Sequence, residues 1–192
     1  MQEAHDLISE TIEDEGPFDG IIGFSQGGAL ASSYILSELR SPARQTSFKC
    51  AIFFCASGPF DLLSRPFCVN KDGSCRTADT NEPMPDFDIT KTIPEAGGSN
   101  GWSGTLSSDT PLLHRYASPP AAEDTRISIP TTHIVGAGDG YRGQSLQVRD
   151  LCVPQGRHFV EHRGGHDIPT DRHATAKMVG AIQSMLQDVL VG

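Results

Sequence analysis

Gly20-Ile21-Ile22-Gly23-Phe24-Ser25-Gln26-Gly27-Gly28-Ala29-Leu30 is the stretch that decides the fold. Its first five residues form a short apolar run expected to be a strand, and a helix is expected from about residue 26 to residue 39. Gly23-Phe24-Ser25-Gln26-Gly27 therefore falls in a strand-to-helix turn, the context that the G-x-S-x-G nucleophile elbow requires. Such a turn holds its serine in a strained backbone conformation that lifts the hydroxyl clear of the sheet. The residues two before and two after are expected to be small because backbones crowd there. The helix N-terminus adds positive potential, and the N–H of Gln26 can donate to an oxyanion forming beside Ser25. The plainer alternative is a glycine-rich turn with an incidental serine.

Outward from the elbow, helix and strand alternate. Residues 3 to 15 place Ala4, Leu7, Ile8 and Ile12 on one helical face and stop at Gly16-Pro17, read as a C-cap glycine followed by a residue that cannot continue the helix. The run from Cys50 to Cys55 is apolar on both faces, as a buried parallel strand should be. Strands are also expected over Thr131 to Val135 and His158 to Glu161, with a helix near Gln144 to Leu151. A last helix runs from about Asp171 to Leu190, with Met178, Ile182, Met185, Leu186 and Val189 forming its stripe. Strands separated by helices predict a parallel α/β sheet in a single domain, residues 1–192, with its site beyond the carboxyl ends of the strands. Eight of the thirteen prolines fall between Pro59 and Pro120, and no periodic pattern survives there. Residues 59–128 are therefore expected to be an irregular insertion or lid, in which Trp102 and Phe60 are candidate substrate contacts.

A serine nucleophile needs a base, and the base needs an orienting acid, in the chain order Ser, Asp or Glu, His. The third strand runs into Gly136-Ala137-Gly138-Asp139 and the fourth into His162-Arg163-Gly164-Gly165-His166-Asp167, which puts Asp139 and His166 in loops on the rim that carries Ser25. Two glycines before His166 allow a tight loop that presents the imidazole. The spacing of His158, His162 and His166 would suit metal ligands on a helix, but Gly164-Gly165 argues against a helix there. His162 is expected to be a packing or supporting residue, His133 a satisfied core histidine, and His5, His114 and His173 surface residues. Asp150 falls in a helix and Asp167 adjoins His166 itself, so Asp139 is the better acid.

The 192 residues carry 15 Lys plus Arg against 24 Asp plus Glu, a net charge of −9. No basic cluster stands out, which disfavours nucleic acid or an acidic membrane surface as partner. No stretch approaches the ~20 apolar residues of a membrane span, and the first residues have neither a basic start nor an apolar core, so the expected location is cytoplasmic. Five cysteines (Cys50, Cys55, Cys68, Cys75, Cys152) are too few and too irregular for a disulfide scaffold and are expected to be thiols. Cys68 and Cys75 lie in a stretch read as loop, without the close spacing of a zinc site.

These residues resemble the fungal serine hydrolases of the FSH family, within the α/β-hydrolase superfamily. The likeness rests on Gly23 to Leu30, on Ile134-Val135-Gly136 followed by Asp139 and then Ser145, and on Glu161-His162-Arg163-Gly164-Gly165-His166-Asp167-Ile168-Pro169. The resemblance implies a serine esterase or thioesterase without metal or organic cofactor. Its substrate would be a small-molecule or carrier-bound acyl ester or thioester, in fungal secondary metabolism. Family members begin with a strand leading to a His-Gly loop that supplies a second oxyanion donor, and no His-Gly pair occurs in this sequence. The expectation is thus an N-terminally truncated α/β-hydrolase-like sheet whose elbow strand has an exposed edge, open to pairing with a second copy of the chain. Two other readings follow from the residues. One is a catalytically impaired remnant acting as a binding protein. The other is a dinucleotide-binding module, because Gly138-Asp139-Gly140-Tyr141-Arg142-Gly143 satisfies G-x-G-x-x-G and Glu161 follows.

Overall fold

In the computed structural model, residues 1–43, 45–61, 67–70, 74–84, 112, 114–116 and 125–191 are described. In chain order the elements are α1 (Gln2–Glu15), β1 (Gly20–Phe24), α2 (Gln26–Arg40), β2 (Cys50–Phe54), β3 (Phe60–Asp61), β4 (Phe67–Val69), β5 (Cys75–Thr77), β6 (His114–Arg115), β7 (Thr131–Gly136), α3 (Arg142–Asp150), β8 (Arg157–His162) and α4 (Arg172–Val191). The chain divides into two compact units, Met1–Pro59 with Ser118–Gly192, and Phe60–Ala117.

The first unit holds a parallel four-stranded sheet in the order β1-β2-β7-β8. β2 lies at its centre and is buried over all five residues, as its continuous apolar run predicts. The alternation of side chains along β2 feeds two faces. Cys50, Ile52 and Phe54 pack with Ile134 of β7 and Met185 of α4, joined by Met178, Ile182 and Val189. Phe53 faces the other way and stacks on His133, ring centroids 5.2 Å apart. Each large side chain so buried contributes roughly 1.5–3 kcal/mol. Leu186 departs from the expected stripe: it is 45% exposed, one position beyond the residue that α4 turns into the core.

α2 packs on β1 with a face of small residues, among them Gly28, Ala29, Ala31, Ser32 and Ser33, which lets helix and sheet approach closely. The buried hydroxyls do not go unsatisfied. Ser32 donates to the Gly28 carbonyl at 2.7 Å and Ser33 to the Ala29 carbonyl at 2.6 Å.

α1 corrects three expectations. Its predicted apolar face is only half-buried and Leu7 is exposed, whereas His5, expected at the surface, is buried edge-on against Tyr34. Burial lowers the pKa of that imidazole. Gly16 ends the helix in an extended conformation rather than the left-handed one of a capping glycine. Glycine is needed there for a different reason: a Cβ would run into the carbonyl oxygen of Ile12.

In the second unit β3 pairs antiparallel with β6, and β4 with β5. The segment around Cys68 and Cys75 is therefore a short antiparallel pair rather than loop, with Val69 opposite Cys75. Trp102 lies outside the described residues, and Phe60 opens β3. Among the described residues no helix is long and apolar enough to cross a membrane.

Candidate active site

The carboxyl ends of neighbouring strands are laced together in sequence. The N–H of Ser25 donates to the Phe54 carbonyl at 3.0 Å, that of Cys55 to Ile134 at 2.9 Å, and that of Ala137 to His162 at 2.8 Å. The rim from β1 to β8 is thus one connected backbone surface, and side chains set on it keep fixed distances.

Ser25 leaves β1 at φ 52° and ψ −117°, a positive φ that an L-residue holds only under constraint. The constraints are visible. The Ser25 carbonyl accepts from the N–H groups of Gly28 and Ser57, each at 3.0 Å. A Cβ on Gly23 would lie 2.6 Å from the Gly27 carbonyl oxygen and from Gly28, and one on Gly28 would collide with Ala56. Gly27 corrects the sequence reading, because a Cβ there meets nothing within 4 Å. The small residue required after the serine is the third, not the second.

His166 stands beyond β8. Its Nε2 is 2.8 Å from Ser25 Oγ and its Nδ1 is 2.9 Å from Asp139 Oδ2, so the structure brings together the three residues that the sequence singled out. The Asp139 side chain is fully buried, while that of His166 remains 31% exposed. The other carboxylate oxygen, Oδ1, accepts the N–H of Tyr141 at 2.8 Å, which fixes the carboxylate plane. Phe24 and Tyr141 flank the imidazole with ring centroids 5.2 and 5.6 Å away. The paired glycines shape the loop before it. The Gly138 N–H donates to the Gly164 carbonyl at 2.9 Å, and a Cβ on Gly136 would run into the carbonyl of Gly165.

Gln26 is the first residue of α2, where a backbone N–H has no partner within its own helix. Ser145 donates to the Ala56 carbonyl at 3.0 Å, and Gln144 accepts the N–H of Gly58 at 2.9 Å, so α3 braces the segment that follows β2.

The remaining histidines sort by environment. His162 is buried, its Nδ1 accepting the Gly164 N–H at 3.2 Å and its Nε2 without a partner in the described structure. His133 is buried with Nε2 on Thr131 at 3.1 Å, but its Nδ1 has no partner among the described residues, so there the core histidine is only half satisfied. Burial lowers its pKa to about 3. The Gly138–Gly143 glycine pattern follows β7, with its Asp139 turned to His166. Glu161 is ion-paired to Arg142 at 2.6 Å rather than left free for a ribose.

Sequence reasoning missed Cys55. It follows β2 as Ser25 follows β1, and it too has positive φ, 42°. Its Sγ is 3.8 Å from the Gly165 carbonyl oxygen and 3.6 Å from that of Asp167, the two carbonyls on either side of His166. Among the described residues, Cys55, Asp139 and His166 are the set whose donor atoms gather closely enough to hold a metal ion.

The family described as Serine hydrolase (FSH1) matches residues 1–178. Esterase alnB of Emericella nidulans is 34% identical over 95% of this chain and 73% of its own length. Hydrolase FUB4 of Fusarium oxysporum f. sp. lycopersici is 30% identical over 88% of this chain and 67% of its own. Among solved structures, the monoacylglycerol lipase of Paleococcus ferrophilus superposes with a TM-score of 0.51 at 13% identity, covering 97% of this chain and 75% of the lipase, a likeness of fold.

Proposed function

The chain belongs to the FSH1 serine hydrolase family, and from that premise we propose that it cleaves an acyl ester or thioester through Ser25, His166 and Asp139. The observation that carries this reading is the unbroken chain from Ser25 Oγ to His166 Nε2 at 2.8 Å and from His166 Nδ1 to Asp139 Oδ2 at 2.9 Å. Asp139 accepts the Nδ1 proton and so leaves the Nε2 lone pair facing the serine. Ser25 attacks the carbonyl carbon as Nε2 takes the hydroxyl proton. The N–H of Gln26 and the α2 N-terminus stabilise the oxyanion. The imidazolium then returns its proton to the leaving alcohol or thiol, and water releases the acid by the same steps. Removal of one oxyanion donor typically costs roughly 10²–10³ in turnover, which sets the scale of the contribution from the Gln26 N–H.

The family and its fungal esterase and hydrolase relatives support the substrate class of this reading. It is an acyl ester or a carrier-bound acyl thioester, and the setting is fungal secondary metabolism. Labelling with a fluorophosphonate tests the reading. The folded chain is expected to label, with Ser25→Ala and His166→Ala reducing the rate by about 10³-fold or more. A folded sample that takes up no label, or labels equally after Ser25→Ala, refutes it and favours a catalytically silent binding protein.

A further inference from the structure

We propose that Cys55, Asp139 and His166 form an inhibitory site for a thiophilic divalent cation of the zinc class. Only the inhibitory consequence rests on the hydrolase reading above; binding of the cation stands on the cluster itself.

Each residue offers one ligand atom, and these atoms all lie within 4.8 Å of one another. A thiolate, an imidazole and a carboxylate are the donor types that zinc takes, at ~2.0–2.3 Å from the ion, which leaves a fourth tetrahedral position for water. The three donors come from the exits of three adjacent strands, β2, β7 and β8, so the laced rim holds them in register. The serine elbow makes no use of the thiol at Cys55, yet this side chain sits on a strained backbone and is aimed at the His166 loop. Cys55 and the Asp139 side chain are fully buried, whereas His166 is partly exposed, so the imidazole is the side through which an ion can enter.

The inhibition follows from proton positions. In the resting site the Asp139 carboxylate keeps the imidazole proton on Nδ1. A cation bound through Nδ1 takes that lone pair, and the single proton of the neutral ring passes to Nε2. Nε2 is then a donor and can no longer accept the proton of Ser25. The Cys55 thiol proton goes to solvent, the sulfur lone pair forms the second bond, and the Asp139 carboxylate turns from the imidazole to the ion. No oxidant or reductant takes part.

Cadmium chloride and zinc chloride are the probes, applied to the intact chain and to Cys55→Ala, Cys55→Ser and His166→Ala. Cadmium is expected to raise a thiolate-to-metal absorption band in the intact chain that is lost in both Cys55 variants and weakened in His166→Ala. Zinc is expected to slow fluorophosphonate labelling of Ser25, reversibly with a chelator. The zinc concentration needed should rise by about tenfold or more in each Cys55 variant, measured against that variant's own metal-free rate, since even groups outside the ligand shell shift metal affinity by 10–100-fold. A cadmium band that survives in Cys55→Ser, or zinc sensitivity unchanged in both variants, overturns the proposal. The catalytic reading fails separately, as an absence of labelling without metal in a chain that still gives the Cys55-dependent band.

Discussion

β1 and β2 are neighbouring five-residue strands paired residue for residue, from Gly20 against Cys50 to Phe24 against Phe54. Both are apolar, and each hands on a residue of positive φ, Ser25 from one and Cys55 from the other. Yet all of β2 is buried, while in β1 only Gly23 is, and Ile22 is 67% exposed. The difference lies in the neighbours: β2 is paired on both sides, and among the described residues β1 is paired only with β2. Ser25 therefore sits on the less protected strand, and its position is borrowed from the protected one. The Phe54 carbonyl fixes the Ser25 N–H, and Gly23 and Gly28 let α2 close down on the turn.

The comparison breaks most visibly at the core of β2. Phe53→Ala removes a side chain that is 1% exposed and stacked on His133, and the expected loss is about 3–5 kcal/mol in urea denaturation. A loss below about 1 kcal/mol would mean that β2 is no better protected than β1. His133 supplies the next largest effect. Its folded pKa of about 3 lies below the ordinary 6.5, because burial disfavours the charged ring. The unfolded chain therefore binds the extra proton between those values. The stability from the neutral ring is fully present above pH 6.5 and is lost as pH falls toward 3, with a slope approaching about 1.4 kcal/mol per pH unit. Denaturation midpoints measured across that window should show this slope, and His133→Gln should flatten it.

What the sequence made legible was whatever depends on near neighbours. The elbow is a matter of five consecutive residues, and β2 declares itself by an unbroken apolar run. Asp139 and His166 could be placed because glycines mark the strand exits on which they sit. The roles that escaped depend on partners far along the chain. Gly28 rather than Gly27 must be small because of Ala56, which no local pattern brings opposite it. Cys55 reads as one more core residue until the carbonyls 110 and 112 positions away close over its sulfur. His5 looks like a polar surface residue in α1 until Tyr34 covers it.

The smallest expected effect sharpens the comparison from the other side. Leu7, Phe18, Ile22 and Phe48 line an apolar groove of about 330 Å³ beside β1, and Leu7 and Ile22 are more than half exposed there. If that groove faces water, Ile22→Lys removes no buried contact and should change stability by no more than about 0.5 kcal/mol. It also places a charge on the edge strand, of the kind that discourages strand pairing between chains. If a second copy covers the edge in solution, the same change should cost several times more, and stability should then rise with protein concentration in the parent and not in the variant. Denaturation at two protein concentrations separates these outcomes, and only the first preserves the contrast between an open β1 and a closed β2.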